Sequence, residues 1–359
     1  MKSRFEVLLT GDFVDAEKNT IGDLALDLLE ADQRIHCQYI EHQRPQADDI
    51  TYQNRLYSME LLPGDVAAAD AIVVCRPWVK ASAFVSGAER LIAIGRAGIG
   101  YDKIDLAACT ANNVVVFNSP HGLTHSTASA ALIFMLTLAR RFNLQQELVR
   151  THRWDRQKEA IGADLTGYTL GIAGLGKTGL ELARLVAPFR MRIIAYSPHA
   201  DPTLAAELGV TLVGSLDDLL RNSDFVSLHG RLTPQTHGMI GARELALMKP
   251  GAYFINVARG EMVDESALIA ALRERRIAGA GLDVFEHEPL PPASALFELD
   301  NVILTPHWLC STREAGRATM ADVMEGILRV IRGELPDNIL NAGVIDRPAF
   351  RKKLGRFAS

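Results

Sequence analysis

The chain has 359 residues, more than the roughly 250 to 300 at which a single hydrophobic core stops growing, so two domains are expected. Apolar residues make up 48% and charged residues 23% of the chain, a composition ordinary for a globular protein and unlike that of a disordered one. The net charge of -5 is not accompanied by any basic block, which argues against nucleic acid as a partner.

The four cysteines, Cys37, Cys75, Cys109 and Cys310, are far apart and form no CxxC pair, so neither a disulfide framework nor a metal site is expected. Reduced thiols fit a cytoplasmic protein. The N-terminal apolar stretch is too short for a signal sequence. The apolar run 128–139 is interrupted by polar residues and shorter than the ~20 residues that cross a bilayer, so no membrane association is expected.

In the first third of the chain, apolar runs typical of strands alternate with helical patterns such as residues 21–29. Such alternation predicts a parallel sheet. A long helix is predicted from about residue 126 to residue 150. The predicted strands span residues 6–10, 71–75, 91–94 and 114–118.

The next region alternates more regularly and predicts six strands with intervening helices, which describe a doubly wound sheet. A helical pattern over residues 312–332 follows it. The six predicted strands span residues 168–173, 192–196, 225–228, 252–256, 281–284 and 302–304.

A glycine-rich segment, GLGKTG, directly follows the first strand of this region and opens a helix. Gly174 permits a tight turn, Gly176 lets the backbone approach a pyrophosphate, and Gly179 lets the helix pack on the strand. We therefore expect residues 174–179 (Gly174, Leu175, Gly176, Lys177, Thr178 and Gly179) to bind a dinucleotide. A glycine-rich turn without a ligand is the alternative interpretation.

The choice between NAD and NADP depends on the end of the next strand, where a carboxylate would hold the ribose 2'-hydroxyl. Ser197 occupies that position, and no arginine follows it to attract a 2'-phosphate. His199 could attract one only weakly. The sequence favours NAD and leaves NADP as an alternative.

Three polar residues follow strand ends on the same predicted sheet edge: Arg259, Glu288 and His307. Reduction of a 2-oxo acid needs a proton donor, which histidine supplies, and a neighbouring carboxylate stabilises the protonated ring. Arginine grips a carboxylate and a carbonyl oxygen through its fork of donors. Each residue also has a simple structural interpretation as a loop charge or loop histidine, and His287 remains an alternative to His307.

These residues and their neighbours resemble the D-isomer-specific 2-hydroxyacid dehydrogenase family over residues 91–341. The resemblance implies catalytic roles for Arg259, Glu288 and His307 and selects His307 over His287. The motifs that carry the resemblance are residues 95–105 (GRAGIGYDKID), the GxGxxG segment, residues 228–234 (LHGRLTP), 256–264, 281–289 and 305–307 (TPH).

The resemblance also assigns the remaining site residues. The substrate, a small 2-oxo or 2-hydroxy acid, is expected at the backbone of Ile99 and Gly100 and at Arg76, in addition to Arg259 and His307. Besides the glycine-rich loop and Ser197, the expected cofactor-binding residues are His229, Gly230, Arg231, Thr236, Val257, Ala258, Arg259, Asp283 and His307.

The fold implied by the resemblance is α/β, with two doubly wound parallel-sheet domains. A Rossmann nucleotide-binding domain, residues 121–309, is inserted into a flavodoxin-like substrate domain formed by residues 1–120 and 310–359. The family implies a homodimer and an NAD(P)-dependent oxidoreductase. A nucleotide-sensing scaffold with the same fold is the alternative function. Trp308 stands where the family has smaller residues, beside the expected catalytic histidine.

Overall fold

The computed structural model describes residues 4–47, 49 and 51–357. The chain divides into two compact units, each containing its own parallel sheet. The first unit comprises Met1–Leu123 and Ser311–Ser359, and the second comprises Thr124–Cys310. The second unit is therefore an insertion in the sequence of the first.

The sheet of the first unit has five parallel strands, β1 (Phe5–Leu9), β2 (Ile35–Tyr39), β3 (Ala71–Val74), β4 (Ala93–Arg96) and β5 (Val115–Asn118). Their spatial order is β2-β1-β3-β4-β5, the flavodoxin-like order. Both faces of the sheet are buried: in β1, Val7 and Leu9 pack into one hydrophobic cluster and Leu8 into another. This double burial explains why the central strands are continuously apolar.

Helices cover both faces of this sheet. They are α1 (Asp27–Glu30), α2 (Tyr52–Leu56), α3 (Pro63–Ala68), α4 (Leu106–Ala111), α5 (Pro120–Ala139, which runs into the second unit), α12 (Arg313–Ile331) and α13 (Pro348–Leu354). Side chains of α1, α12 and α13 contribute to one cluster, whereas those of α3 and α4 contribute to the other.

The sheet of the second unit has seven parallel strands in the order β12-β11-β10-β9-β6-β7-β8. The order reverses between β6 and β9, which creates the switch point where open α/β sheets bind ligands. The strands are β6 (Thr169–Ala173), β7 (Arg192–Tyr196), β8 (Val210–Leu212), β9 (Phe225–Leu228), β10 (Tyr253–Asn256), β11 (Gly279–Leu282) and β12 (Val302–Leu304).

Helices also cover both faces of the seven-stranded sheet. Besides α5, they are α6 (Phe142–Arg150), α7 (Lys177–Val186), α8 (Pro202–Glu207), α9 (Leu216–Asn222), α10 (Ala242–Leu247) and α11 (Glu265–Arg273). Side chains of α5, α7 and α8 contribute to one hydrophobic cluster, and those of α9, α10 and α11 contribute to the other.

The predicted fold class, two doubly wound parallel sheets, is confirmed. Two strands were not predicted, β2 and β8, and both lie at sheet edges with largely exposed or half-buried side chains. An edge strand is covered on fewer sides, so its sequence lacks the apolar run that marks a central strand.

The helix predicted over residues 126–150 is wrong in its bounds. Two helices occupy the region, because α5 begins earlier, at Pro120, and ends at Ala139, and α6 begins at Phe142. Arg141, between them, has a φ of 50°, a left-handed conformation that cannot continue a right-handed helix. The helical pattern over residues 21–29 is also wrong, since only Asp27–Glu30 is helical there.

Helix α5 is long and apolar enough to cross a membrane by length and composition alone. Its side chains Ala128, Phe134, Met135 and Leu138 are nevertheless buried in a hydrophobic cluster of the second unit. This packing is that of a helix in the core of an α/β unit.

Candidate functional site

The carboxyl ends of the second unit's strands bring most of the predicted residues to one edge of the sheet. The glycine-rich loop follows β6, Ser197 follows β7, and residues 229–231 follow β9. Arg259 follows β10, Asp283 and Glu288 follow β11, and His307 follows β12. Since all seven strands are parallel, these segments leave the sheet on the same side.

His307 and Glu288 form a hydrogen-bonded pair at this edge. The Nδ1 atom of His307 lies 2.8 Å from Oε2 of Glu288, and 34% of the histidine side chain remains exposed against 16% of the carboxylate. The backbone amide of Phe285 donates to the other carboxylate oxygen at 3.2 Å. His287, the alternative histidine, is an exposed loop residue. The geometry therefore pairs Glu288 with His307.

The carboxylate of Glu288 is held in its charged form despite its burial. Burial by itself would raise the pKa of Glu288, but the hydrogen bond and charge of His307 outweigh it and lower the pKa below the ordinary 4.5. The Phe285 amide and the positive charge of Arg259 act in the same direction. A charged Glu288 near neutral pH fixes Nδ1 of His307 and leaves Nε2 as the ring nitrogen that faces other partners.

Asp283 holds the backbone that carries His307. Its Oδ1 atom accepts from the Thr305 hydroxyl at 2.6 Å and from the amides of Trp308 and Leu309 at 3.1 and 3.2 Å. His307 lies between these donors with a φ of 52°, which is strained for a residue with a side chain. Asp283 is therefore a brace for the His307 conformation.

Asp283 is also a deeply buried carboxyl group. Only 3% of the residue is exposed. Burial raises the pKa of Asp283, while the hydrogen bonds from Thr305 and the following amides oppose that effect.

Arg259 is half-buried at the end of β10 and is oriented by its neighbours. Its Nη1 donates to the Ala258 carbonyl at 2.8 Å. The buried Asn256 donates from Nδ2 to the Arg259 carbonyl at 2.9 Å and accepts from the Ala258 amide at 3.0 Å. Asn256 thereby fixes the loop that contains the predicted residues Val257 and Ala258, which are both buried.

Sequence patterns did not single out Asn256 or Thr305 as parts of the site. Both stand next to predicted residues, but each could equally be an ordinary polar residue at a strand end. Only their contacts with Arg259 and Asp283 reveal their structural role.

The glycine-rich loop has the shape that a dinucleotide pyrophosphate requires. Gly174 has a φ of 100°, and a Cβ atom there would lie 2.6 Å from the Gly230 amide nitrogen. A Cβ at Gly179 would lie 2.5 Å from the Gly174 carbonyl oxygen, so the helix packs tightly on its strand. Apart from its chain neighbours, no described residue has an atom within 4 Å of the Cβ position at Gly176, which leaves space above the loop.

The loop also ends at a helix that can bind an anion. Helix α7 begins at Lys177, and no side chain among the described residues caps its first turn. Its first amides and its dipole are therefore suited to phosphate. Lys177 is exposed, Thr178 is half-buried and Leu175 is buried beneath the loop.

His229 lies next to this loop and is not an acid or base near neutral pH. Its Nε2 lies 2.8 Å from the Ser227 hydroxyl, and its Nδ1 is buried without a hydrogen-bond partner among the described residues. Burial lowers the pKa of His229 to about 4, so the ring is neutral. The following turn is tied by Thr236, whose hydroxyl donates to the Arg231 carbonyl at 2.7 Å.

Three of the predicted substrate residues, Arg76, Ile99 and Gly100, lie in the first unit. Arg76 follows β3, and its amide donates to the buried Asp12 carboxylate at 2.9 Å. Ile99 and Gly100 form the loop after β4, where the Ile99 carbonyl accepts from Asn118 at 2.7 Å. All three therefore follow the carboxyl ends of neighbouring strands.

Two cations of the first unit lie beside the Tyr57 ring, and sequence reasoning found only one of them, Arg76. The Arg76 guanidinium and the Lys103 ammonium lie 5.8 and 5.1 Å from the centre of the Tyr57 ring. Arg96 ends β4, and its guanidinium lies against Gly98.

Within the described residues, no group of three or more histidine, cysteine or acidic side chains is arranged to hold a metal.

Comparison with known proteins adds a family context. Residues 132–308 match a family model described as "D-isomer specific 2-hydroxyacid dehydrogenase, NAD binding domain". The matched segment lies within the second unit and contains the glycine-rich loop and the His307–Glu288 pair. The prediction of an NAD-type cofactor is thereby confirmed.

Relatives also align with much of the chain. The D-3-phosphoglycerate dehydrogenase of Methanocaldococcus jannaschii is 41% identical over 288 residues, which cover 80% of this chain and 54% of that enzyme. The chain thus spans about half the length of the curated phosphoglycerate dehydrogenases that it matches. The glyoxylate reductase of Thermococcus litoralis is 40% identical over 286 residues, which cover 78% of this chain and 86% of the reductase.

Among solved structures, a D-lactate dehydrogenase of Aquifex aeolicus in complex with NAD and lactic acid has a TM-score of 0.77 and 27% identity. The match covers 93% of this chain and 99% of that one. The whole two-unit chain is therefore similar to this dehydrogenase in fold.

Proposed function

The chain belongs to the D-isomer specific 2-hydroxyacid dehydrogenase family, and we propose that it is an oxidoreductase that interconverts a small 2-oxo acid and the D-2-hydroxy acid with NAD(P). The observation that carries this proposal is the pair of His307 and Glu288, 2.8 Å apart, on the sheet edge that bears the dinucleotide loop. A proton-transfer group and a nucleotide loop on one edge are the two parts that this reaction needs.

His307 is the proton donor during reduction of the 2-oxo acid and the proton acceptor in the opposite direction. Because Nδ1 is bonded to Glu288, Nε2 is the atom that exchanges a proton with the substrate oxygen. The charged Glu288 keeps the ring oriented and stabilises the positive charge that it carries as an acid. The brace at Asp283 maintains the backbone that presents the ring.

Arg259 is the group that orients the substrate. Its guanidinium can bind the carboxylate and the neighbouring oxygen through two parallel hydrogen bonds, and it stays charged at every physiological pH. Asn256 holds the backbone of Arg259 in place, and the Ala258 carbonyl accepts a hydrogen bond from its guanidinium. Arg76 and the Ile99–Gly100 amides of the first unit are proposed as further contacts for the acid group.

The glycine-rich loop of the second unit would surround the pyrophosphate of the dinucleotide. The backbone of Val257 and Ala258 would line the cofactor site. The missing Cβ atoms at Gly174 and Gly179 and the space at Gly176 fit such a group. The bound nicotinamide supplies or accepts the hydride. Asp283, which the family resemblance assigns to the nicotinamide carboxamide, would then serve both the cofactor and the His307 backbone.

The substrate class is a short acid, and Arg76, the predicted substrate residue of the first unit with a charged side chain, suits an acid or phosphate group on it. The Arg76 guanidinium and the Lys103 ammonium both lie beside the Tyr57 ring, which concentrates positive charge there. The half-exposed Trp308 beside His307 favours a compact substrate. We therefore expect hydroxypyruvate and its phosphate to be reduced with a higher kcat/KM than branched 2-oxo acids.

A spectrophotometric screen tests the proposal. Purified protein is mixed with NADH or NADPH and with glyoxylate, hydroxypyruvate, phosphohydroxypyruvate, pyruvate or a branched 2-oxo acid, and cofactor oxidation is followed. We expect turnover of at least one short acid and a D-configured product by chiral chromatography. Nucleotide binding without turnover of any acid would reject the enzyme and favour the nucleotide-sensing scaffold.

The acid–base assignment has a matched pair of variants. His307→Gln should lose at least about 100-fold in kcat while it still binds nucleotide, since acid–base groups contribute factors of that size. His287→Gln changes an exposed histidine of the same region and should keep wild-type kcat. An active His307→Gln enzyme would contradict the assignment.

We also propose that the chain works in the cytoplasm as a homodimer paired through the second unit. The free cysteines suit a reducing compartment such as the cytoplasm.

The proposed dimer contact lies on helix α6. Phe142 and Val149 are both more than half exposed and are seven residues apart on this helix, so they share one face. Trp154, just beyond the helix, is 64% exposed. Val149→Glu should therefore yield a monomer by light scattering, whereas Val85→Glu in the first unit should not.

A further inference from the structure

Three strand ends of the second unit meet near Gly174, and two of them carry residues suited to a phosphate. We propose that Ser197 and Arg231 form a subsite for the 2'-phosphate of NADP(H), so that the chain binds NADP(H) at least as tightly as NAD(H). The inference rests on the dinucleotide site proposed above and specifies which dinucleotide that site accepts.

Ser197 removes the group that normally excludes a 2'-phosphate. It follows the last residue of β7, Tyr196, whose carbonyl accepts a hydrogen bond from the Gly174 amide at 2.9 Å. The residue after this strand is where a carboxylate would bind the ribose hydroxyls and repel a phosphate. A half-buried serine hydroxyl can instead donate a hydrogen bond to a phosphate oxygen.

The nearest following carboxylate does not replace the missing one. Asp201 caps helix α8, where one of its oxygens accepts from the amides of Thr203 and Leu204 at 2.8 and 3.3 Å. Its position is fixed by that cap, four residues beyond Ser197. The ribose end of the site therefore has no acidic side chain committed to it from the β7 loop.

Arg231 supplies a positive charge from a different strand. Gly174 touches the β9 loop as well as β7, because a Cβ at Gly174 would lie 2.6 Å from the Gly230 amide nitrogen and 2.9 Å from the His229 carbonyl carbon. Arg231 is the next residue, exposed, with its carbonyl held by the Thr236 hydroxyl at 2.7 Å.

Ser197 and Arg231 are thus each one residue away from a direct neighbour of Gly174. The loop directly after β7 has no arginine, but the β9 loop, which also contacts Gly174, carries one. Arginine recognises phosphate through paired hydrogen bonds and a charge that does not titrate. The combination of a serine and an arginine is suited to a 2'-phosphate rather than to a bare ribose.

Calorimetric titration without substrate tests the subsite. Dissociation constants for NADPH and NADH are measured for the wild type, Arg231→Ala, Ser197→Asp and the control Arg221→Ala, which removes an exposed arginine of helix α9. Arg231→Ala should raise the dissociation constant for NADPH about tenfold and that for NADH less than twofold, a loss typical of a hydrogen bond to a charged group. Ser197→Asp should raise the dissociation constant for NADPH more than Arg231→Ala does. The control should change neither constant.

The outcomes separate this inference from the proposed function. Tighter wild-type binding of NADH than of NADPH, or an equal effect of Arg231→Ala on both, would overturn the subsite and leave the dehydrogenase proposal standing. Absence of binding for both nucleotides would refute the dinucleotide site itself. The probe 2',5'-ADP should bind the wild type more tightly than 5'-AMP, and this difference should vanish in Arg231→Ala.

Discussion

Removal of the Asp283 side chain should release the segment that carries His307. In Asp283→Ala, three donors lose their acceptor: the Thr305 hydroxyl and the amides of Trp308 and Leu309. An unsatisfied buried donor costs about 1 to 3 kcal/mol, and relief of the buried carboxylate offsets part of the sum. We therefore expect the free energy of unfolding to fall by about 3 kcal/mol.

Hydrogen exchange measured by mass spectrometry over residues 305–312 reports this change locally. A loss of about 3 kcal/mol corresponds to a roughly 100-fold faster exchange of the released amides if they open locally. Asp283→Asn keeps an acceptor oxygen and should lose only about 1 kcal/mol.

The control Ser215→Ala removes the N-cap of α9, whose hydroxyl accepts from the Asp218 amide at 3.1 Å. It should cost about 1 kcal/mol without altering exchange over residues 305–312. Unchanged exchange and unchanged unfolding in Asp283→Ala would refute the role of Asp283 as a brace.

The pKa of Glu288 is lowered on folding, so the ionised side chain contributes stability above pH 4.5, and this contribution is lost as the pH falls further. The free energy of unfolding of the wild type and of Glu288→Gln is measured by urea titration from pH 6 to 3, and the difference in favour of the wild type should shrink below pH 4.5. An advantage that grows on acidification would contradict the assignment. Gly174→Ala places a Cβ 2.6 Å from the Gly230 nitrogen at a φ of 100°, and should weaken nucleotide binding more than about tenfold by calorimetry, whereas Gly214→Ala, with no described atom within 4 Å, should not. Burial lowers the pKa of Lys353 from 10.5 to about 8, so the unfolded chain binds more protons than the folded chain between these pH values. The free energy of unfolding of the wild type relative to Lys353→Met should therefore rise as the pH rises from 8 to 10.5. A difference that does not change with pH would contradict the burial of this ammonium group.

The central strands could be predicted from sequence because burial on both faces demands continuous apolar runs, as in β3 and β6. The edge strands β2 and β8 could not, because their half-exposed side chains leave no such run. The break between α5 and α6 was equally hidden, since arginine is a good helix former and only the surrounding structure imposes a φ of 50° on Arg141.

The sequence by itself determined the chemistry that is available: the glycine-rich loop, Arg259, Glu288 and His307 all follow strand ends, and in a parallel sheet strand ends share an edge. It did not determine which histidine Glu288 bonds or which oxygen braces the backbone of His307. Those choices depend on residues that are distant in the chain and meet only after β11 and β12 are aligned. Local propensity and spacing contain no information about such contacts, so only the tertiary structure decided them.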